Sequence, residues 1–196
     1  MYATYQRASG LYIDAMLKIA TIENTLRAPA AGTTTLEADY NNLNLGLTLE
    51  AGKKYSLKGG WQIEPQLQLS YLRIFARDYA ATTPDAATTL RIAASDMDAL
   101  QFRLTQTISK TVRLTNGGVM HPYARIGGAV LTSSGGEIRN GYQRLRPNID
   151  GLRAEFGAGV VWQLSAGHQL YFDYEAAYAE DCSKPWGLNA GYRWQF

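Results

Sequence analysis

What most constrains this chain is an alternation of apolar and polar side chains, every second residue, that recurs in eight separate stretches. Successive side chains of a β-strand point to opposite faces of the sheet, so period two predicts strands with one oily and one polar face. In residues 11–19, Leu11, Ile13, Ala15, Leu17 and Ile19 alternate with Tyr12, Asp14, Met16 and Lys18. Leu43, Leu45, Leu47 and Leu49 alternate with Asn44, Gly46, Thr48 and Glu50. Trp61, Ile63, Pro65, Leu67, Leu69 and Tyr71 oppose Gln62, Glu64, Gln66, Gln68 and Ser70. Further strands are expected over residues 100–108, 119–130, 152–162, 170–178 and 188–196. Gln106 interrupts the apolar face of the fourth, and the fifth is the least regular.

Length separates two kinds of β protein. Strands in water-soluble folds usually run about five or six residues, whereas a tilted strand needs about nine or more to cross hydrocarbon. No run approaches the roughly 18 apolar residues of a membrane helix. A mean hydropathy of -0.24 is compatible with a barrel, because only alternate residues meet lipid. Long intervals near 20–40, 74–98 and 131–149 alternate with tight turns near Gly52-Lys53-Lys54, Asn116-Gly117-Gly118 and Ser165-Ala166-Gly167. Short periplasmic turns and longer external loops produce that rhythm. The expectation is an all-β, antiparallel transmembrane β-barrel of eight strands in the bacterial outer membrane, with residues 1–196 in one domain. A soluble all-β carrier with its leucines inside is the alternative. Residues 1–7 show no charged start, apolar centre and cleavage site. Because outer-membrane chains need such a signal, the domain is expected to be incomplete on its amino-terminal side.

With leucines outside, the charged side chains face inward. The expected lumen-lining set is Asp14, Lys18, Glu50, Glu64, Arg103, Arg125, Arg153, Glu155, Asp173, Glu175 and Arg193. Six are acidic and five basic, so pairing across strands brings them close to neutrality. Asp173 and Glu175, two apart on one face, suggest paired acids for hydrolysis. The same face carries charges throughout the chain, which favours a lining over a catalytic site. His121 and His168 have no companion ligand motif, so no metal and no cofactor are expected. The net charge of +2 and scattered basic residues argue against nucleic acid as a partner. Cys182 is the single cysteine and cannot form an intrachain disulfide. Trp61, Tyr71, Trp162, Tyr178, Tyr192 and Trp194 are candidates for aromatic girdles at the membrane interfaces, with outer-membrane lipids as partners.

The runs Gly10-Leu11-Tyr12-Ile13-Asp14-Ala15 and Gly60-Trp61-Gln62-Ile63-Glu64-Pro65-Gln66-Leu67-Gln68-Leu69-Ser70-Tyr71, with the carboxyl-terminal run from Lys184 to Phe196, resemble the translocator domain of monomeric autotransporters. His121-Pro122-Tyr123-Ala124-Arg125 and the run from Arg153 to Val160 resemble that family's later strands. The resemblance implies a barrel of twelve strands, of which this chain supplies the last eight, without the helix that plugs the family's pore. It implies a non-catalytic type V secretion module that assists export of its own amino-terminal passenger domain. Barrel-insertion machinery is the further partner, and terminal Phe196 resembles the insertion signal that this machinery reads. An eight-stranded outer-membrane barrel serving adhesion, binding or structure is the second functional reading.

Overall fold

The computed structural model describes residues 1–30, 34–85, 87–115, 117–141, 143–165, 167–179 and 183–194. In chain order its strands are β1 (Tyr2–Gln6), β2 (Leu11–Pro29), β3 (Thr35–Lys53), β4 (Tyr55–Ser56) and β5 (Trp61–Phe75). There follow β6 (Tyr79–Thr82), β7 (Thr89–Ala94), β8 (Met97–Lys110), β9 (Val112–Arg113) and β10 (Val119–Gly135). The last are β11 (Ile138–Asn140), β12 (Gln143–Leu145), β13 (Gly151–Ser165), β14 (His168–Ala179) and β15 (Lys184–Trp194).

The expected closed barrel of eight strands is overturned. All fifteen strands belong to one antiparallel sheet, and that sheet is open. Its main path runs β2–β3–β5–β8–β10–β13–β14–β15, with β1 paired to the lower half of β2. Among the described residues β15 pairs with β14 alone, and nothing joins it to β1 or β2. The face carrying the charges is concave, because residues from β3 to β15 line a shared cavity of about 410 Å³. Eight strands close only at a curvature that fills the interior with side chains. A polar wall of arginines, glutamates, glutamines and tyrosines around open space follows a shallower arc.

Seven of the expected stretches each fall within one long strand, and the eighth lies in β15 as far as Trp194, residues 195–196 being outside the described residues; the strand count and the loops differ. Residues 20–29 and 35–40, expected within a long loop, extend β2 and β3 as a continuous ladder from Leu11↔Lys53 to Pro29↔Thr35. Beyond them β6, β7, β11 and β12 add to the edge of β3 in the order β3–β6–β7–β11–β12. This upper sheet has its own small core: Ala38, Ala81 and Ile92 are buried, packed by Leu26, Leu36, Tyr79, Leu90 and Ile138. Tyr40 stacks on Tyr79 with ring centroids 4.0 Å apart.

The alternation reverses sign at the boundary between the two zones. On the convex face β2 presents Ile13, Leu17 and Ile19, and then Thr21, Glu23, Thr25 and Arg27; β3 presents Leu49, Leu47 and Leu43, and then Asn41, Asp39 and Glu37. Thr21 pairs with Leu43 and Glu23 with Asn41, so both strands change character on adjoining rungs. Leucine outward suits oil and leucine inward suits water. Sequence alternation keyed to outward leucines therefore stops at Ile19 and resumes at Leu43.

The opposite ends are tight. Gly10 closes the β1–β2 turn at φ 84, donating to the Arg7 carbonyl at 3.0 Å, and its own carbonyl accepts from Lys54 N at 3.0 Å. A Cβ there would strike the Lys54 carbonyl, so only glycine fits. The Leu114–Gly118 turn has Gly117 at φ 84. Asn116 and Ala166, expected in tight turns, lie outside the described residues.

Candidate functional site

Ladder register places all eleven expected lining residues on the concave face. Asp14 pairs with Glu50, Glu50 with Gln68, Gln68 with Arg103, and Arg103 and Arg153 both face Ala129. Lys18 faces Gly46, Glu64 faces Thr107, and Arg125 and Glu175 both face Gly157. Glu155 faces Gly127, Asp173 faces Gly159, and Arg193 faces Gln169. The alternation thus carries through registered pairs of strands, which is the property of a sheet with two chemically distinct faces.

Six of the eleven gather at the cavity: Glu50, Arg103, Arg125, Arg153, Glu155 and Glu175. Glu155 is the hub. Arg153 Nη2 donates to Glu155 Oε1 at 2.6 Å and Nε donates at 2.9 Å. Arg103 Nε stands 3.1 Å from Glu155 Oε2, an ion pair whose N–H is not aligned for a hydrogen bond. Arg103 Nη1 donates to Gln68 Oε1 at 3.3 Å, and Gln68 Nε2 donates to Glu50 Oε2 at 3.1 Å. The chain of contacts crosses β3, β5, β8 and β13 without leaving a carboxylate alone. Such pairing offsets the cost of placing charges inside a wall.

The remaining five sit apart. Glu64 belongs to a second cluster built on Tyr12, which β2 buries at the short-turn end. The Tyr12 hydroxyl lies 2.9 Å from Glu64 Oε1 and 3.1 Å from Glu50 Oε1, and accepts from Gln66 Nε2 at 2.8 Å. Lys54 Nζ stands 3.9 Å from Glu64 Oε2. Asp173 accepts from Tyr123 Oη, and Asp14 from Tyr2 Oη at 3.3 Å. Lys18 and Arg193 lie outside both clusters.

Sequence reasoning passed over the two tyrosines that anchor this wall, Tyr12 and Tyr123. Their signal is glycine across the ladder: Tyr12 faces Gly52 and Tyr123 faces Gly159. A Cβ at either glycine would overlap the tyrosine, so each ring lies flat over its partner strand. Lys184, ion-paired with Glu175, was also missed, because it precedes the regular alternation of the last strand.

On the convex face the aromatics divide by strand end. Trp61, Trp162, Tyr192 and Trp194 stand toward the short-turn ends of β5, β13 and β15, whereas Tyr71 and Tyr178 stand toward the opposite ends of β5 and β14. Trp162, Leu170 and Tyr192 share a rung. His168 lies nearly parallel to both Tyr192 and Trp194, with ring centroids 5.9 Å and 6.2 Å away. Phe196 and Cys182 lie outside the described residues. Among the described residues no group of three His, Cys, Asp or Glu is placed to hold a metal ion, and no helix is long and apolar enough to cross a membrane.

Residues 1–175 match the family model of the autotransporter beta-domain. The chain is 30% identical over 195 residues to the pertactin autotransporter of Bordetella parapertussis, covering all of this chain and 21% of that protein. It is 31% identical over 196 residues to the BrkA autotransporter of Bordetella pertussis, again in full, and covers 19% of it. The chain thus spans about a fifth of these relatives. It superposes on the crystal structure of the Bordetella BrkA β-domain with a TM-score of 0.76 at 28% identity, covering all of this chain and 71% of that one.

Proposed function

Because the chain belongs to the autotransporter beta-domain family, we propose that its concave polar face lies along the route by which an amino-terminal passenger crosses the outer membrane. The family places it in the bacterial outer membrane as a non-catalytic, translocator-type module of type V secretion. The passenger route, the insertion machinery as partner, and the lining role of each charged residue are the proposed part.

One observation carries it. The polar face runs from β2 to β14, its central charges are linked through Gln68 and Glu155, and its lining set is close to balanced, six acidic to five basic, so it presents hydrogen-bonding groups to a peptide without a strong net field of either sign. A wall of one sign would hold segments of opposite charge and stall them. The convex face, rich in exposed leucine and phenylalanine, faces lipid. The eight long strands make up the greater part of a twelve-strand wall, in keeping with the 71% of the BrkA domain they match. The edges at β1 and β15 require pairing by other backbone, since hydrocarbon satisfies no N–H or C=O group.

The experiment is a secretion intermediate of the full-length protein with its passenger arrested in transit. Single cysteines replace Glu155 and Gln68 on the concave face, and Phe102 and Leu104 on the convex face. Crosslinking of the arrested passenger to the first pair and not the second is expected. Equal crosslinking to both faces rejects the reading.

A further inference from the structure

The two ends of the membrane wall differ in how their cations are matched. At the water-exposed upper end, Arg73 on the convex face is held by Asp96 at 3.1 Å and Asp98 at 3.6 Å, and Tyr71 also donates to Asp98. Among the described residues the convex side of the short-turn end has no such acids. Residues 1–13, 51–63, 99–136 and 156–172, which include its four turns, contain no aspartate or glutamate. The same segments bring Arg7, Lys53, Lys54, Lys58, Lys110 and Arg113 to that end. Of these, Lys54 alone has a carboxylate partner among the described residues, the concave Glu64.

Three of the cations sit on the lipid side, each seated on an interfacial aromatic ring. Lys110 pairs with Trp61 across the ladder and its Nζ lies 5.0 Å from the ring centroid. Lys53 Nζ lies 4.7 Å from the Tyr55 ring, which pairs with convex Ile63. Arg7 Nε donates to the Tyr5 hydroxyl at 2.8 Å, with its guanidinium carbon 5.8 Å from that ring. Lys53 and Lys110 are half-buried, their stems lying on the wall while their ammonium groups reach the level of the rings. The three pairs lie on β1, β3–β4 and β5–β8, with β2 between the first two, and so follow one another along the same rim of the sheet.

From this we propose that the short-turn rim of the convex wall is a binding site for anionic phospholipid headgroups of the adjoining leaflet. An ammonium over an aromatic ring keeps its charge and its donors, and the Trp61 indole N–H and tyrosine hydroxyls beside it supply further donors. A phosphodiester at headgroup depth meets several of these at once, and nothing acidic on the wall competes for them. The uncancelled phosphodiester charge favours phosphatidylglycerol over phosphatidylethanolamine, whose own ammonium neutralises its phosphate, because the convex cations of the rim have no carboxylate partner among the described residues. The inference depends on membrane placement and not on passenger export, so one can be overturned while the other stands.

The test uses the full-length protein in bilayers of phosphatidylethanolamine with a minor fraction of phosphatidylglycerol. Relative affinity is read from tryptophan quenching by brominated chains carried on one lipid or the other, and from the lipids retained in native mass spectrometry. The unsubstituted protein is expected to prefer phosphatidylglycerol, with the preference shrinking as salt is raised. Each of Arg7→Gln, Lys53→Gln and Lys110→Gln lowers it by about fivefold, while Arg27→Gln in the water-exposed sheet leaves it unchanged. Equal affinity of the unsubstituted protein for both lipids overturns the proposal even if a variant fails to fold. An undiminished preference in the folded triple variant overturns it too, and a rim that engages an acidic protein instead gives the first of these results.

Discussion

The β2–β3 hairpin is two structures in one ladder. Below the rung Thr21↔Leu43 its leucines point to the convex side and its polar groups to the concave side; above it, the sides exchange. Among the described residues the lower zone has no cluster of buried apolar side chains, and its leucines are exposed in the isolated chain because their solvent is lipid. The upper zone buries Ala38, Ala81 and Ile92 as any water-soluble sheet does. Backbone hydrogen bonding is continuous across the boundary. The medium on each side therefore sets side-chain polarity, and the strand itself does not.

That contrast can be broken most sharply by charge. Leu104→Arg, on the exposed convex face, is expected to cost about 2–4 kcal/mol of folding in a bilayer, and to abolish heat-modifiable folded protein. Asp39→Arg on the same face in the upper zone should change stability by less than about 0.5 kcal/mol. Matching losses from the two substitutions, measured by denaturant titration in lipid vesicles, would erase the distinction between zones.

The converse change is next in size. Ile92→Ala removes the largest buried side chain of the upper core and should destabilise that sheet by about 2 kcal/mol. Limited proteolysis should then cut near residues 79–94 sooner, with the membrane ladder still protected. A third prediction concerns the concave wall. Tyr12→Phe deletes the hydroxyl that joins Glu50, Glu64 and Gln66, at an expected cost of about 1–2 kcal/mol. Denaturant unfolding in vesicles measures it, and Gln66→Leu should then cost less in the Tyr12→Phe background than alone.

The smallest effect is titration of the upper sheet. Glu137 is held below the ordinary carboxylate range, first by its hydrogen bond from Arg139 and then by the nearby charges of Arg144 and Arg146. Since the folded value lies below the unfolded one, its contribution is complete above the unfolded value and is lost as pH falls through the folded one. Acidification from the ordinary glutamate range, about 4.3, should therefore loosen the β11–β12 hairpin. Hydrogen-exchange protection factors of residues 138–145, which correct for the intrinsic pH dependence of exchange, read it out, and Glu137→Gln should remove their dependence on acid.

Much of the membrane zone was legible in the sequence. Leu43 to Leu49 and Trp61 to Tyr71 show their faces by local alternation, and the inward charges follow from the same parity. The upper sheet was hidden because Leu26, Leu36 and Ala38 occupy the parity that carries charge lower down, so two opposite patterns abut within one strand. β6, β7, β11 and β12 were hidden for another reason. They are short, and their pairings, Glu37↔Thr82 and Ile138↔Ala94, join parts of the chain far apart in sequence. In the wall, the meeting of Arg103 with Glu155 depends on the registers of β8 and β13 against β10, which no local pattern encodes.

By itself, then, the sequence determined that this protein makes long strands with an oily and a polar side, because side-chain direction along a strand is a local property of the backbone. Tertiary structure decided how many strands join, that the sheet remains open, and which charges neutralise one another. Those outcomes depend on register and curvature, which arise only when distant segments share hydrogen bonds.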